Sequence, residues 1–448
     1  MDRRTRRAGL GVGVVWWPPL DALCRESEGL VDVIETEPEA FWVPKPDGSG
    51  FRSFVGEALK HLPQPKLLHS VGAAVGGTCR APNGHSEALA SDIAELRPRY
   101  VSEHLSVTRF RPERESAAVS AGFMLPSAQS RLGAELAAAN IREHKIALGT
   151  PLAMETTVSY LPPAPGEWPD GAFVAAVAEG ADCGILLDLH NVLCNARNGR
   201  QSVAAFCDAI PLERVWELHL AGGESERGFY VDAHSGLVEP ELMEIAAALV
   251  PRLPFLEAIT FEIMPDRVAE TGLPAIARQL GQIRDLWNTR AHCGGQDVSP
   301  MKTQPTTNPP LHDPEGWERL LGCAINGMSE PMTDDATAEW WRSAKPALEL
   351  YRMLVGEGRA SAVLSGAPRT TRFLLRESGS AGTRRILADY WRWSPPQYTA
   401  IDEARAFFCF LSEGPANHSA QPGLLDAIAS DAAELRTITG QAVHRSIN

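Results

Sequence analysis

The chain has 448 residues, of which 44% are hydrophobic and 22% charged, and its formal net charge is −14. A single (β/α) barrel uses roughly 250 residues, so this length predicts a second domain. The acidic balance disfavours nucleic acid as a partner, because phosphate backbones attract clustered Lys and Arg. No apolar stretch is long enough to cross a bilayer, so we expect a globular cytoplasmic protein without a membrane partner.

The N-terminus has the basic start and apolar run of a signal peptide, from Gly11 onwards. The run is short, lacks a small-residue cleavage site and is followed at once by Pro18 and Pro19. We therefore interpret it as the first strand of the fold.

Eight apolar runs occur before about residue 265, and most of them end at a His, Asp or Glu. They are GVGVVWW, VDVIETEP, KLLHSVG, YVSEHLSV, LAMETTV, CGILLDLHN, RVWELHLAGG and ITFEIMP. Segments of helical periodicity alternate with them, including residues 127–145, where a serine can cap the helix, and residues 268–287. Nearly continuous apolar strands that alternate with helices predict an α/β fold, a TIM (β/α)8 barrel over residues 1–288.

The polar residues in and after these runs are of metal-ligand types. The active site of such a barrel lies at the carboxyl ends of its strands. Each histidine taken alone is more simply a hydrogen-bonded core or surface residue, but their shared position favours a metal site. Unpaired buried charges are costly, so the cluster predicts shared cations, and the number of candidates indicates two or three ions. The candidates are Glu35, His69, Glu103, His104, Glu155, Asp188, His190, Asn191, Glu217, His219, Asp232, His234 and Glu262.

The cysteines do not contribute to this cluster. All eight are scattered and form no CxxC pair, which argues against a disulfide framework and against a structural zinc site. Imidazole and carboxylate without thiolate suit iron, manganese or zinc.

The pattern changes near residue 289. Residues 289–314 are rich in Pro, Gly, Thr and Gln and predict a linker. Residues 315–448 contain five amphipathic segments and predict a smaller, mainly helical domain that binds or positions something. Its aromatic residues are interpreted as core rather than as ligand contacts; they are Trp391, Trp393, Tyr398, Phe407, Phe408 and Phe410.

Six motifs in this order resemble the multinuclear non-heme iron-dependent oxidative (MNIO) enzymes. They are SEHLS at His104, METT at Glu155, LLDLHN at Asp188, ELHLAGG at His219, the D-x-H of Asp232 and His234, and FE at Glu262. The resemblance covers roughly residues 8–285 and implies a barrel of the xylose isomerase-like type. It also implies oxidation by O2 of a residue, most often Cys, in a ribosomally synthesised precursor peptide, as in methanobactin biosynthesis.

The resemblance implies a ligand set of two to three iron ions in a mixed-valence state. One iron would be held by His69, His104 and Glu155. The second would be held by Asp188, His219 and Glu262, with Glu155 bridging, and a third position by Asn191, Asp232 and His234. Glu155, Asp188 and Glu262 would form the catalytic carboxylates.

The chain departs from the family pattern beside these ligands. Thr36 and Thr156 follow Glu35 and Glu155 where the family usually has asparagine, and His190 also replaces a common asparagine. We interpret His190 as a hydrogen-bonding neighbour of the ligands rather than as an added ligand.

Family enzymes commonly need a partner protein that captures the leader of the precursor. Residues 387–411 are similar to such partners, so the chain is interpreted as a fusion that needs no separate partner. The alternative is an unrelated helical appendage that dimerises or covers the barrel. For the barrel, the alternatives are a zinc-dependent hydrolase or isomerase acting on a phosphodiester or a sugar, and a non-catalytic metal-binding scaffold.

Overall fold

The computed structural model describes residues 9–26, 29–290, 312–328, 335–415 and 423–440. Most of the predicted linker, 289–314, lies outside these residues. Its predicted boundaries and those of the two domains stay predictions. Among the described helices, none combines the length and the apolar character needed to cross a membrane.

A closed barrel of eight parallel strands forms the first part of the chain, which confirms the predicted fold class. The barrel order is β1, β2, β5, β6, β9, β10, β11 and β14, and β14 pairs with β1 to close it. All eight apolar runs are barrel strands. The strands are β1 (Gly11–Val15), β2 (Val33–Thr36), β3 (Trp42–Pro44), β4 (Phe51–Ser53), β5 (Lys66–Ser70), β6 (Val101–His104), β7 (Ser106–Phe110), β8 (Val119–Pro126), β9 (Leu152–Glu155), β10 (Gly184–Asp188), β11 (Val215–Ala221), β12 (Glu224–Glu226), β13 (Phe229–Val231) and β14 (Ala258–Glu262).

Helices surround the barrel, and most of them bury their apolar faces against its strands in one large core. The helix His85–Leu96 packs Ala88 and Leu89 in a smaller, separate cluster. They are α1 (Asp21–Glu26), α2 (Val55–Leu59), α3 (His85–Leu96), α4 (Arg131–Leu148), α5 (Asp170–Ala181), α6 (Leu189–Arg197), α7 (Val203–Ala209), α8 (Pro240–Leu249), α9 (Pro265–Thr271) and α10 (Leu273–Asn288). The hydroxyl of Ser130 caps α4 by accepting from the Gly133 amide, as the sequence predicts. The prediction of a single helix over residues 268–287 is wrong. Two helices cover this segment, because Gly272 at φ +82° separates α9 from α10.

Three antiparallel hairpins, β3–β4, β7–β8 and β12–β13, lie between the barrel strands. The eight predicted strands do not account for them. The hairpin β7–β8 is the longest of the three and carries much of the contact with the C-terminal helices.

The C-terminal region is helical, as predicted, but it is not a loosely attached appendage. Its helices are α11 (Pro314–Ile325), α12 (Asp335–Gly366), α13 (Pro368–Trp393), α14 (Ala400–Glu413) and α15 (Leu424–Ile438). Helix α11 and part of α12 share a core with β7, β8 and the loops above the barrel. The indole of Trp317 donates to the Pro126 carbonyl over 2.9 Å, and the indole of Trp340 donates to the Pro162 carbonyl over 3.1 Å. The last three helices build a second core of their own with the end of α12.

This shared core predicts that a mutation in the C-terminal region destabilises the whole protein. Trp317→Ala should lower the free energy of unfolding by about 3–5 kcal/mol, because it leaves a cavity under the hairpin β7–β8. Trp393→Ala is the matched control, since Trp393 is 41% exposed and keeps only part of its ring against Phe410, so its loss should cost about 1 kcal/mol. Urea denaturation of the full-length variants measures both values, and equal stabilities would contradict the shared core.

Candidate metal centre

Six predicted ligands lie at the carboxyl ends of six barrel strands, and all of them are buried. They are His69, His104, Glu155, Asp188, His219 and Glu262. Parallel pairing sets His104 opposite Glu155 and Asp188 opposite His219. The strand ends therefore aim these side chains into one space at the mouth of the barrel.

The first ligand group consists of His69, His104 and Glu155. Nε2 of His69 lies 3.1 Å from Nε2 of His104 and 3.2 Å from Oε2 of Glu155. Nδ1 of His104 lies 2.6 Å from the same carboxylate oxygen. The hydroxyl of Ser102 lies 2.9 Å from Nδ1 of His69 and so turns the Nε2 of that ring towards the other two ligands.

The second group shares Glu155 with the first and adds Asp188 and His219. Nδ1 of His219 lies 3.9 Å from Oε1 of Glu155 and 3.2 Å from Oε2 of Glu262. Asp188 is the N-cap of α6, where its Oδ1 accepts from the Asn191 amide over 2.9 Å. Capping holds one carboxylate oxygen of Asp188, which leaves Oδ2 for the centre.

A third group joins Asp188 and Glu262 to His234, which lies in the loop after β13. Nδ1 of His234 lies 3.4 Å from Oε1 of Glu262, and its Nε2 lies 2.9 Å from Oδ1 of Asp232. The backbone of His234 has φ +43°, which is uncommon for a residue with a side chain. The sequence grouped His234 with Asp232 and Asn191, whereas the structure also brings Asp188 and Glu262 to it.

Many ligand-type atoms in the three groups, and in Asn191 and Asp232 beside them, are buried without a hydrogen-bond partner among the described residues. They are His104 Nδ1, Glu155 Oε2, Asp188 Oδ2, Asn191 Oδ1, His219 Nδ1, Asp232 Oδ1 and His234 Nε2. His104 Nδ1 and Glu155 Oε2 are close but are not aligned for a hydrogen bond. Buried polar atoms are almost always satisfied in proteins, and cations among these atoms would satisfy all of them together. The residues therefore fit a multinuclear metal centre, although the metal-binding role of each one stays a prediction.

The pKa shifts of these groups follow from the close approach of imidazoles and carboxylates in a buried space. Burial alone would lower the pKa of His69, but the Glu155 carboxylate raises it to about 10. Burial would raise the pKa of Glu262, yet the His234 and His219 imidazoles bring it down to about 2. Both shifts favour positive charge beside the carboxylates, which is the charge that bound metal ions would supply in place of protons.

A further layer of buried polar residues orients His219. Its Nε2 lies 2.7 Å from Oε2 of Glu35, so the opposite nitrogen, Nδ1, faces the centre. Beside this pair, Glu217 accepts from the Tyr100 hydroxyl over 2.9 Å and from the Thr260 hydroxyl over 2.7 Å. The sequence marked Glu35 and Glu217 only as strand-end carboxylates and did not identify these roles.

The residues that depart from the family pattern lie beside the ligands. The Asp188 amide donates to the Thr156 hydroxyl over 3.1 Å, so this threonine fixes the backbone of a candidate ligand. Nε2 of His190 lies 3.5 Å from the Cys194 thiol and 3.6 Å from Oδ1 of Asp232, and His190 belongs to none of the three ligand groups. This position agrees with the interpretation of His190 as a neighbour of the ligands.

A separate cluster that the sequence did not predict contains Glu39, His85 and Glu103. Oε1 of Glu39 accepts from His85, from the Ser70 hydroxyl and from two backbone amides after β5. Glu103 accepts from Ser70 and from the amides of Ala73 and His104. These bonds largely satisfy the cluster and fix the loop that follows β5.

A cavity opens above the metal centre and includes about 2030 Å³ of space, part of it open to solvent. Its floor contains ligands from all three groups, and its walls contain Trp42, Phe51, Phe123 and Met264. Residues 397–401, which run from the connection after α13 into the first turn of α14, form another part of the wall. The expectation that Tyr398 belongs to a helical core is therefore wrong, because it lines the cavity, whereas Phe407, Phe408 and Phe410 are core residues as predicted.

Residues 10–266 match the model of the family described as RiPP precursor modification enzyme MbnB/TglH/ChrH. The chain belongs to this family. RiPPs are ribosomally synthesised and post-translationally modified peptides, so membership makes the chain a precursor modification enzyme and confirms the resemblance found in the motifs.

Two curated relatives are both described as UPF0276 proteins. The protein from Chromobacterium violaceum is 29% identical over 225 residues, which cover 50% of this chain and 79% of the relative. The protein from Streptomyces avermitilis is 27% identical over 256 residues, which cover 56% of this chain and 50% of the relative. The match therefore spans only half the length of the Streptomyces protein.

Solved structures of sugar epimerases resemble the chain weakly. The 3-keto-D-glucoside 4-epimerase YcjR from E. coli has 12% identity and a TM-score of 0.38, covering 61% of this chain and 98% of the epimerase. D-psicose 3-epimerase from Clostridium cellulolyticum H10, solved with D-tagatose, has 9% identity and a TM-score of 0.39, covering 63% of this chain and 99% of the epimerase.

Proposed function

We propose that the chain uses two or three iron ions and O2 to oxidise a residue, most often Cys, in a ribosomally synthesised precursor peptide. The observation that carries the proposal is that three ligand groups of imidazole and carboxylate share members. Glu155 belongs to the first and second groups, and Asp188 belongs to the second and third. The unpartnered atoms of these groups support several cations in one space.

The donor set is compatible with iron as the metal. It contains nitrogen and oxygen ligands without thiolate, which suit iron as well as manganese or zinc, and the motif resemblance favours iron among them. Membership in the family supports a peptide as the substrate. Bound iron ions would supply an open coordination position for a thiolate and the electrons that activate O2. His69, His104 and Glu155 would hold one ion, and Asp188, His219 and Glu262 the other, with Asp232, His234 and Asn191 at the third position.

The protein's own contribution is to position the peptide and to limit water. Trp42, Phe51, Phe123 and Met264 line the cavity with apolar surface above the polar floor. A cysteine that reaches the floor would be held at a fixed distance from the metal centre, which replaces a chance encounter by a positioned one. The wall formed by residues 397–401 supports a role of the C-terminal region in peptide binding, so that no separate partner protein is needed.

The test uses full-length protein from iron-supplemented cells and a cysteine-containing precursor peptide encoded beside its gene. We expect a mass change at one cysteine with O2 present, no multiple turnover without O2, and no reaction after Cys→Ser in the peptide, because a hydroxyl is a far poorer iron ligand than a thiol at neutral pH. Mass spectrometry of the peptide measures all three results. A zinc-supported, O2-independent reaction on a phosphodiester or a sugar would instead establish the hydrolase or isomerase alternative.

A further inference from the structure

The C-terminal region contributes a polar group to the cavity. Tyr398, which lies just before α14, lines the same space as His69 and Glu155. Its ring packs against Phe51 at a centroid distance of 5.6 Å. Its hydroxyl is buried and has no hydrogen-bond partner among the described residues.

The approach of this hydroxyl to the barrel depends on a glycine. A Cβ atom at Gly72 would collide with the Tyr398 hydroxyl and with the His85 ring. Gly72 is three residues beyond the candidate ligand His69, a distance that an extended chain spans in at most about 10 Å. The hydroxyl of Tyr398 therefore lies beside the backbone that leads directly to the candidate ligand His69.

A second unpartnered group lies beside it. Oε1 of Glu39 accepts from the Gly72 amide over 3.1 Å, whereas Oε2 is buried without a partner, and Glu39 lines the cavity too. Although burial favours the neutral acid, the hydrogen bond from His85 keeps the pKa of Glu39 below its usual value, so Oε2 is an acceptor. Burial raises the pKa of Tyr398, so its hydroxyl stays protonated and can donate.

One acceptor and one donor in a cavity wall complement a polypeptide backbone. Each residue of a peptide offers one N–H and one C=O, and both must be satisfied when they leave water. We propose that Tyr398 and Glu39 form a main-chain-binding pair, in which Tyr398 donates to a carbonyl and Glu39 accepts from an amide of the substrate near its modified residue. Both are positioning residues. The inference rests on the proposed function and specifies how the substrate is held.

The test measures thiol binding to the cobalt(II)-loaded full-length chain through the near-ultraviolet absorption of a cobalt-bound thiolate. The probes are the pentapeptide Ac-Ala-Ala-Cys-Ala-Ala-NH2 and ethanethiol, which lacks a main chain. Tyr398→Phe removes only the hydroxyl and should weaken the pentapeptide about fivefold, the equivalent of one hydrogen bond. Binding of ethanethiol and the cobalt content should not change.

Tyr390→Phe is the matched control, because it removes another buried hydroxyl of this region, one that donates to the Glu403 carbonyl over 3.1 Å outside the cavity. It should leave both probes unaffected. Unchanged pentapeptide binding in Tyr398→Phe, or equal weakening of both probes, would overturn the main-chain-binding pair. If neither probe binds the unmodified protein as a thiolate, the proposed function itself fails, and this inference fails with it.

Discussion

Glu155→Gln is expected to remove most of the bound iron and to abolish peptide oxidation. Its two oxygens face different ligand groups, Oε2 towards His69 and His104 and Oε1 towards His219. An amide keeps the shape of the side chain but removes the negative charge that both ions would share. The iron content should fall from about two to three ions per chain to one or fewer, because the variant damages two positions at once. Metal analysis of protein from iron-supplemented cells measures this.

Glu103→Gln is the control for this variant. Glu103 is as buried as Glu155 and precedes His104, but its oxygens accept from Ser70, Ala73 and the His104 amide instead of facing the centre. The Glu103→Gln variant should keep its iron, and circular dichroism should show the same helical content in both variants. Full iron loading in Glu155→Gln would contradict the assignment of Glu155 as a bridging ligand.

The barrel was predictable from the sequence because its signal is local. A strand covered by helices on one side and by barrel interior on the other is apolar along its whole length, and each run ends where the side chains reach the mouth. The same pattern placed His69, His104, Glu155, Asp188 and Glu262 together.

The short hairpins could not be predicted in the same way. The hairpin β7–β8 includes partly exposed residues such as Arg109, and the apolar residues 121–126 of β8 were not among the predicted strands. The break at Gly272 did have a signal, since a glycine followed two residues later by Pro274 is typical of a helix boundary.

The contacts between distant parts of the chain had no local signal either. The amphipathic pattern of α11 and α12 shows that each helix has a buried face, but not that this face lies on β7 and β8. Tyr398 meets Gly72 across more than half of the sequence. Pro395 and Pro396 mark its segment as a loop, but they do not indicate which part of the barrel that loop covers. Such positions follow from the tertiary fold alone.

The sequence also did not show which carboxylates of the barrel face the metal centre and which lie beneath the ligands. Glu35 and Glu217 both lie in apolar runs, as ligands would. Only the positions of β2 and β11 in the closed barrel set Glu35 against Nε2 of His219 and Glu217 against Tyr100. Their residue type suits a ligand and an orienting neighbour equally well.

Glu35→Gln is expected to lower the affinity for the second metal ion about 10- to 100-fold while the first ion is retained. Glu35 accepts from Nε2 of His219 over 2.7 Å, and both side chains are fully buried. The carboxylate fixes the tautomer that leaves Nδ1 free to bind the metal, whereas an amide can rotate and offer its NH2 group to the same nitrogen. Titration of the metal-free protein with iron(II) under argon, followed by metal analysis, measures the affinity at each position.

Glu217→Gln distinguishes this orienting effect from the mere loss of a buried carboxylate. Burial and the neighbouring Glu35 raise the pKa of Glu217 to about 8, and its partners are the hydroxyls of Tyr100 and Thr260, which can bond to an amide as well. Glu217 is also farther from the imidazole, at 3.9 Å from Nε2 of His219. Its variant should therefore bind the second ion within about threefold of the unmodified protein, well below the loss expected when an orienting carboxylate is removed. Equal losses in the two variants would mean that general disruption of the barrel interior, and not the orientation of His219, weakens the site.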